Sequence, residues 1–259
     1  MAIGGLILLA CYYALYRKIS IDKKDIVFLV QIMFFQLYLA YLCDIYAISK
    51  LSAARVSILY ALAPFIAAAF SYWIFNERMT IKKVIGMSVG FIGIMPMATM
   101  NASQDYGQSL VSPVGGLLLF GVACNTYGYI ILRVLVKKRN YSPLLITALS
   151  MLGAGICTLI TSYIFESKQL IDPVNIQSFM LILLSVIVFG NIIAYGLNGF
   201  LLKKYTATFI AFAGFLYPLF GALFGWLFFG EPVTYAFFFS IFMIIVGLYI
   251  FYHEELRLG

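Results

Sequence analysis

Residues 50–94 read KLSAARVSILYALAPFIAAAFSYWIFNERMTIKKVIGMSVGFIGI, and residues 204–248 read KYTATFIAFAGFLYPLFGALFGWLFFGEPVTYAFFFSIFMIIVGL. One constant offset of 154 lays the second stretch over the first without a gap. Lys50 then falls on Lys204, Ala53 on Ala207, Pro64 on Pro218, Glu77 on Glu231, Thr80 on Thr234 and Gly93 on Gly247. Each copy is an apolar helix with a proline inside it, a glutamate at its end, and a second apolar helix. Two unrelated membrane hairpins would rarely put Pro, Glu and Thr in the same register. A duplicated hydrophobic unit of this kind points to an architecture of internal repeats embedded in a membrane, as transporters use.

Composition agrees. Of 259 residues, 64% are hydrophobic and 10% charged, whereas soluble domains are nearer half apolar and a quarter charged. The bilayer is therefore the expected solvent, and the expected molecular partner besides lipid is a small-molecule substrate. The net charge of +7 does not imply nucleic acid, because the basic residues sit in short clusters between apolar runs, as membrane topology requires. Cys11, Cys43, Cys124 and Cys157 all fall inside apolar segments, and His253 is the one histidine. Neither a metal site nor a disulfide framework is expected, and the thiols read as small buried hydrophobes. No nucleophile elbow, HExxH, P-loop or dinucleotide fingerprint is present, so neither an enzyme nor a cofactor is expected, and ATP does not drive this chain directly. A lipid-modifying membrane enzyme would need clustered His, Asp or Glu at one interface, and the sequence has none.

A spanning helix needs about 20 apolar residues. Nine runs qualify as candidates, at about 1–16, 26–48, 54–76, 84–100, 114–136, 143–165, 176–202, 205–229 and 233–252. The expected fold is an all-α polytopic membrane protein. Its two units are residues 1–100, with four helices, and 114–253, with five. Residues 101–113, NASQDYGQSLVSP, read as an extracytoplasmic linker. The first run reaches only about 24 Å against a ~30 Å hydrocarbon core. It matches a second helix with its beginning clipped, so the expectation is a 5+5 repeat lacking its first helix. A truncated chain would explain that; a true nine-helix protein is the alternative. Sorting the loops by side places fourteen basic residues, Arg17 to Arg257, on one face, and only Lys50, Arg55 and Lys168 on the other. By the positive-inside rule the first face is cytoplasmic. The two copies then cross the membrane in opposite senses, as inverted repeats do. A multi-pass protein of the cytoplasmic (inner) membrane is expected.

Residues 47–94 resemble the EamA domain of the drug/metabolite transporter superfamily. Its pattern, a helix with an internal proline that ends in Glu-Arg before a Gly-rich helix, is met by Pro64, Glu77, Arg78, Gly86, Gly90 and Gly93. The second copy matches at Pro218, Glu231 and Gly247, with Pro232 in place of the arginine. The resemblance implies a 5+5 inverted helical repeat carrying small metabolites or drugs through a central cavity by alternating access. A non-transporting scaffold or an inactive truncated carrier is the competing expectation.

Candidate pathway residues are the polar groups inside apolar runs. Asp44, in FQLYLAYLCDIYAIS, is the one acid well inside such a run, and a charge there costs about 2.5–3.5 kcal/mol. Its offset partner is Asn198, and Tyr41 pairs likewise with Tyr195. Asp44 and Asn198 fit a polar group near each mouth of the pathway. The competing role for Asp44 is an interfacial ion pair with Arg55. Asn125, Tyr127 and Asn191 would line a cavity or hydrogen-bond between helices. Tyr60, Tyr72 and Tyr217 flank the repeated prolines and are the aromatic candidates. Pro64 and Pro218 should each remove a mid-helix hydrogen bond and bend the helix. Glu77 and Glu231 should satisfy loop amides or cap the next helix. The spacings Gly86-x-x-x-Gly90 and Gly221-x-x-x-Gly225 permit close helix contact, inside the bundle or in a homodimer.

Overall fold

The structure is a computed structural model and describes residues 1–17, 19–51, 53–77, 79–100, 112–165, 176–230 and 235–258. Those residues form nine helical rods. They are α1 (Ala2–Tyr16), α2 (Ile26–Ile48), α3 (Ala53–Tyr60 and Ala63–Phe75), α4 (Ile81–Met100), α5 (Pro113–Lys138), α6 (Pro143–Phe165), α7 (Ile176–Ser185, Val186–Tyr195 and Gly196–Lys204), α8 (Ala207–Ala213 and Leu216–Phe229) and α9 (Tyr235–Leu258). Seven of these, α2, α3 and α5–α9, are long and apolar enough to cross a membrane. With 15 residues, α1 reaches only about 22 Å. The chain is an all-helical, multi-pass membrane protein. Glu231, Arg78 and residues 101–111 of the linker lie outside the described residues.

The prolines act differently from expectation. Neither sits in the middle of a continuous helix. In α3 the hydrogen-bond ladder breaks at Ala61–Leu62, and Pro64 opens the first turn of the new helix. There its missing N–H has no carbonyl to serve, so the proline starts a helix instead of straining one. In α8 the break is at Gly214–Phe215, and Pro218 is the third residue of the next piece. The other end of the copied helix also repeats. Asn76 (φ 53°) follows α3 and Gly230 (φ 67°) follows α8, both left-handed and 154 apart. This C-terminal cap lets the Asn76 amide donate to the Tyr72 carbonyl at 2.9 Å and the Glu77 amide to that of Ser71 at 3.3 Å. Glu77 thus contributes its backbone to closing α3.

A second repeated irregularity is absent from the sequence pattern. Ile32–Leu39 of α2 and Val186–Tyr195 of α7 are π-helical, and their first residues again differ by 154. A short π segment, Val134–Lys138, also ends α5.

Two compact units are present. One comprises residues 1–39 and 128–205, the other 40–127 and 206–259. Each draws on both halves of the sequence, so this division differs from the one at the linker. Within the first unit, α1 packs along α6, where a methyl group on Gly5 would stand 2.7 Å from the Leu152 nitrogen. Within the second, α4 packs along α9, and the first piece of α8 lies on the second piece of α3. Glycine makes the α4–α9 seam: a methyl group on Gly86 would stand 2.8 Å from the Gly247 carbonyl oxygen, and one on Gly247 2.6 Å from that of Gly86. Gly90 faces Phe212 and Phe215. The Gly86-x-x-x-Gly90 face is therefore used inside the chain. Phe212, Phe215, Phe251, Met87 and Ile244 fill the core around it.

Polar ties hold the ends of these helices. In the second unit, Lys83 Nζ lies 2.7 Å from Glu255 Oε2, with both side chains about nine-tenths buried. The other oxygen of Glu255 accepts from the Thr206 amide at 2.9 Å. In the first unit the Tyr141 hydroxyl donates to buried Asp25 at 2.9 Å and accepts from the Asp22 amide at 3.0 Å. Of the cysteines, Cys43 and Cys124 are buried, as expected, but Cys11 is exposed.

Candidate functional site

Within the second unit, Asp44 sits in the last turns of α2, four residues before Ile48. Its Oδ2 accepts a hydrogen bond from the Tyr60 hydroxyl at 2.5 Å. Tyr60 is the last residue before the break in α3, so the interrupted helix presents it at the end of a short rigid segment. Asp44 Oδ1 is buried and has no hydrogen-bond partner among the described residues. A methyl group on Gly121 of α5 would stand 2.7 Å from Cys43 Cβ and 3.7 Å from that oxygen, so glycine at this position lets α5 pack closely against this turn of α2. The ion pair with Arg55 offered as the alternative role for Asp44 is not formed among the described residues, and Tyr60 takes its place. Arg55 is buried within the first turns of α3.

Asn125 and Tyr127 lie two residues apart on α5 and are partly buried. The Tyr127 ring meets Phe70 of α3 edge-on at 5.9 Å. Ser71 is buried and receives the Thr208 hydroxyl at 3.4 Å, tying α3 to α8. Pro64 is buried beside the break. Tyr217, in the first turn after the α8 break, is 71% exposed, and Tyr72 is exposed as well.

Within the first unit, Asn198 Nδ2 donates to the Tyr129 hydroxyl at 3.3 Å. The offset partners Asp44 and Asn198 are therefore each answered by a tyrosine, from α3 in one case and α5 in the other. Tyr195 packs against the cluster of Leu8, Leu37 and Met151. Asn191 is buried in the π segment of α7 against Gly4. Two groups escaped the sequence reading. Tyr129 stands in the same run as Tyr127, one helical turn on from Asn125, and periodicity would have found it. Gln36 stands in the same apolar run as Asp44 and is buried. A glutamine inside a membrane helix was a legible signal.

No group of three or more His, Cys, Asp or Glu that would hold a metal ion occurs among the described residues. Within the second unit the rods place a small set of hydrogen-bonding side chains in the membrane, one of them a carboxylate with a buried, unpaired oxygen. Such an arrangement can hold and release a polar solute. Residues 1–99 and 114–253 match the EamA-like transporter family, and the chain belongs to that family.

Over 264 aligned residues, the chain is 29% identical to the S-adenosylmethionine/S-adenosylhomocysteine transporter of Chlamydia trachomatis serovar L2, an alignment that covers 100% of this chain and 80% of that protein. It is 25% identical over 250 residues to the uncharacterized transporter YvbV of Bacillus subtilis, covering 95% of this chain and 78% of that one. A solved crystal structure superposes with a TM-score of 0.79 at 15% identity, over 100% of this chain and 86% of the other, and so supports the fold alone. The protein is a membrane transporter.

Proposed function

We propose that this chain is a secondary carrier of the cytoplasmic membrane. It moves a small organic cation by alternating access between two inverted helical repeats, with Asp44 as the counter-charge. The observation that carries the reading is the Asp44 carboxylate, with one oxygen fixed by Tyr60 and the other buried without a partner beside Gly121. A carboxylate in a membrane helix is stable only with a cation or a proton, so an arriving positive group supplies what the fold omits. The relatives are named for S-adenosylmethionine and S-adenosylhomocysteine; the first carries a sulfonium charge and is the first compound to test. The inverted repeat is supported by the charge asymmetry of the loops and by the packing of helices that hold the same place in each copy: α1 on α6, α3 on α8, α4 on α9.

The test is counterflow of labelled S-adenosylmethionine in proteoliposomes. Concentrative exchange is expected in the parent, and Asp44→Asn should lower its initial rate at least tenfold while the yield of folded protein stays near normal. Equal rates for parent and Asp44→Asn would remove Asp44 from the pathway. Absence of exchange with S-adenosylmethionine and a wider panel of organic cations would refute the substrate class.

A further inference from the structure

Gln36 lies in the π segment of α2 and is 3% exposed. Its Oε1 is buried and has no hydrogen-bond partner among the described residues. Gly128 of α5 makes the room for it: a methyl group there would overlap Gln36 Cβ and stand 2.8 Å from Oε1. An unpaired buried carbonyl subtracts from stability, and leucine or methionine would fill the same apolar run without that penalty. Gln36 therefore stands where packing alone would not put it. The backbone around it is irregular too, and π segments within α-helices gather at functional sites. The equivalent π segment of α7 holds a second buried carboxamide, Asn191, 6% exposed, and a methyl group on Gly4 of α1 would lie 3.1 Å from its Cβ. One such group would be unremarkable. Two, in equivalent π segments and each lodged against a glycine of a neighbouring helix, form a pattern.

We propose that Gln36 is a specificity-determining residue whose Oε1 accepts a hydrogen bond from an N–H group of the substrate, so that the carrier selects small metabolites bearing an amine, ammonium or amide donor. The inference rests on the transport reading above and concerns recognition, not charge. A carboxamide oxygen is a directed acceptor, and a site built around one rejects analogues that lack the donor.

The experiment uses the full chain in proteoliposomes with labelled S-adenosylmethionine, which carries amino groups, as the probe. Gln36→Met keeps the length of the side chain and removes the acceptor; Gln36→Leu does so with a branched chain. Both are expected to raise KM at least tenfold with maximal rate within about twofold of the parent. The thermal midpoint of the purified variants should equal or exceed the parent value, since the unpaired carbonyl is gone. An unchanged KM in Gln36→Met overturns the proposal. So does a lowered midpoint with loss of flux in both variants, because Gln36 would then be a structural group. Absence of flux in the parent is a different failure: it sinks the substrate reading, and this inference falls with it.

Discussion

At the residue scale, the Asp44–Tyr60 hydrogen bond is the contact most exposed to test. Hydrogen bonds to charged groups contribute about 1.5–3 kcal/mol. If Tyr60 orients the carboxylate that meets the substrate, Tyr60→Phe should weaken apparent affinity about tenfold while Asp44→Asn removes most transport. The double variant should be no worse than Asp44→Asn alone, since both changes act on one interaction; additive losses measured by initial rates would show that the two residues act separately. A carboxylate holds a cation only when ionised, so parent flux of a fixed cation should fall as pH drops through the titration of Asp44, and Asp44→Asn should flatten that limb. Asp44 was legible because a lone acid in an apolar run is costly wherever the run folds. Tyr60 as its partner was not legible in the same way. Arg55 looked the better match by charge, but the break in α3 places the Tyr60 hydroxyl on the carboxylate.

At the scale of elements, two features of the second unit invite measurement. The α4–α9 seam depends on backbones meeting at Gly86 and Gly247. A methyl group on either must displace a carbonyl, not a flexible side chain. Gly247→Ala should therefore destabilise by about 1–3 kcal/mol, read as a lower thermal midpoint in detergent. The Lys83–Glu255 pair is the other. Removing one partner of a buried ion pair leaves the other charge uncompensated, at about 3–5 kcal/mol. Glu255→Ala also strips the Thr206 amide of its acceptor, so it should lower the midpoint more than the exposed Lys82→Ala does. A Glu255→Ala midpoint equal to the parent would mean the pair contributes nothing net. The prolines carry an element-scale lesson. Sequence marks where the ladder must fail, since proline lacks an N–H. It does not say whether the helix bends around the proline or restarts at it, because that depends on what packs beside the break, here Ala61, Phe215 and Leu219 in one cluster.

For the whole molecule, alternating access makes one direct prediction. With single cysteines placed near Asp44 and near Asn198 in a cysteine-free background, substrate should change their labelling by a membrane-impermeant thiol reagent in opposite senses. Labelling that does not respond to substrate at either position would argue against alternating access. The helical, membrane-spanning character of the chain, its duplication and its family were all decided by the sequence alone. Lipid admits only structures that satisfy their own backbone, and apolar runs of this length leave helices as the one solution. The same physics made Asp44 conspicuous and left Gln36 visible to a reader who weighs amides as heavily as charges. Tertiary structure alone decided the π segments, the tyrosines that answer Asp44 and Asn198, and the pairing of α4 with α9 through glycine. Those features follow from which helix faces meet, and in a bilayer the pattern of apolar residues says little about that, because a face turned to lipid and a face turned to another helix are equally hydrophobic.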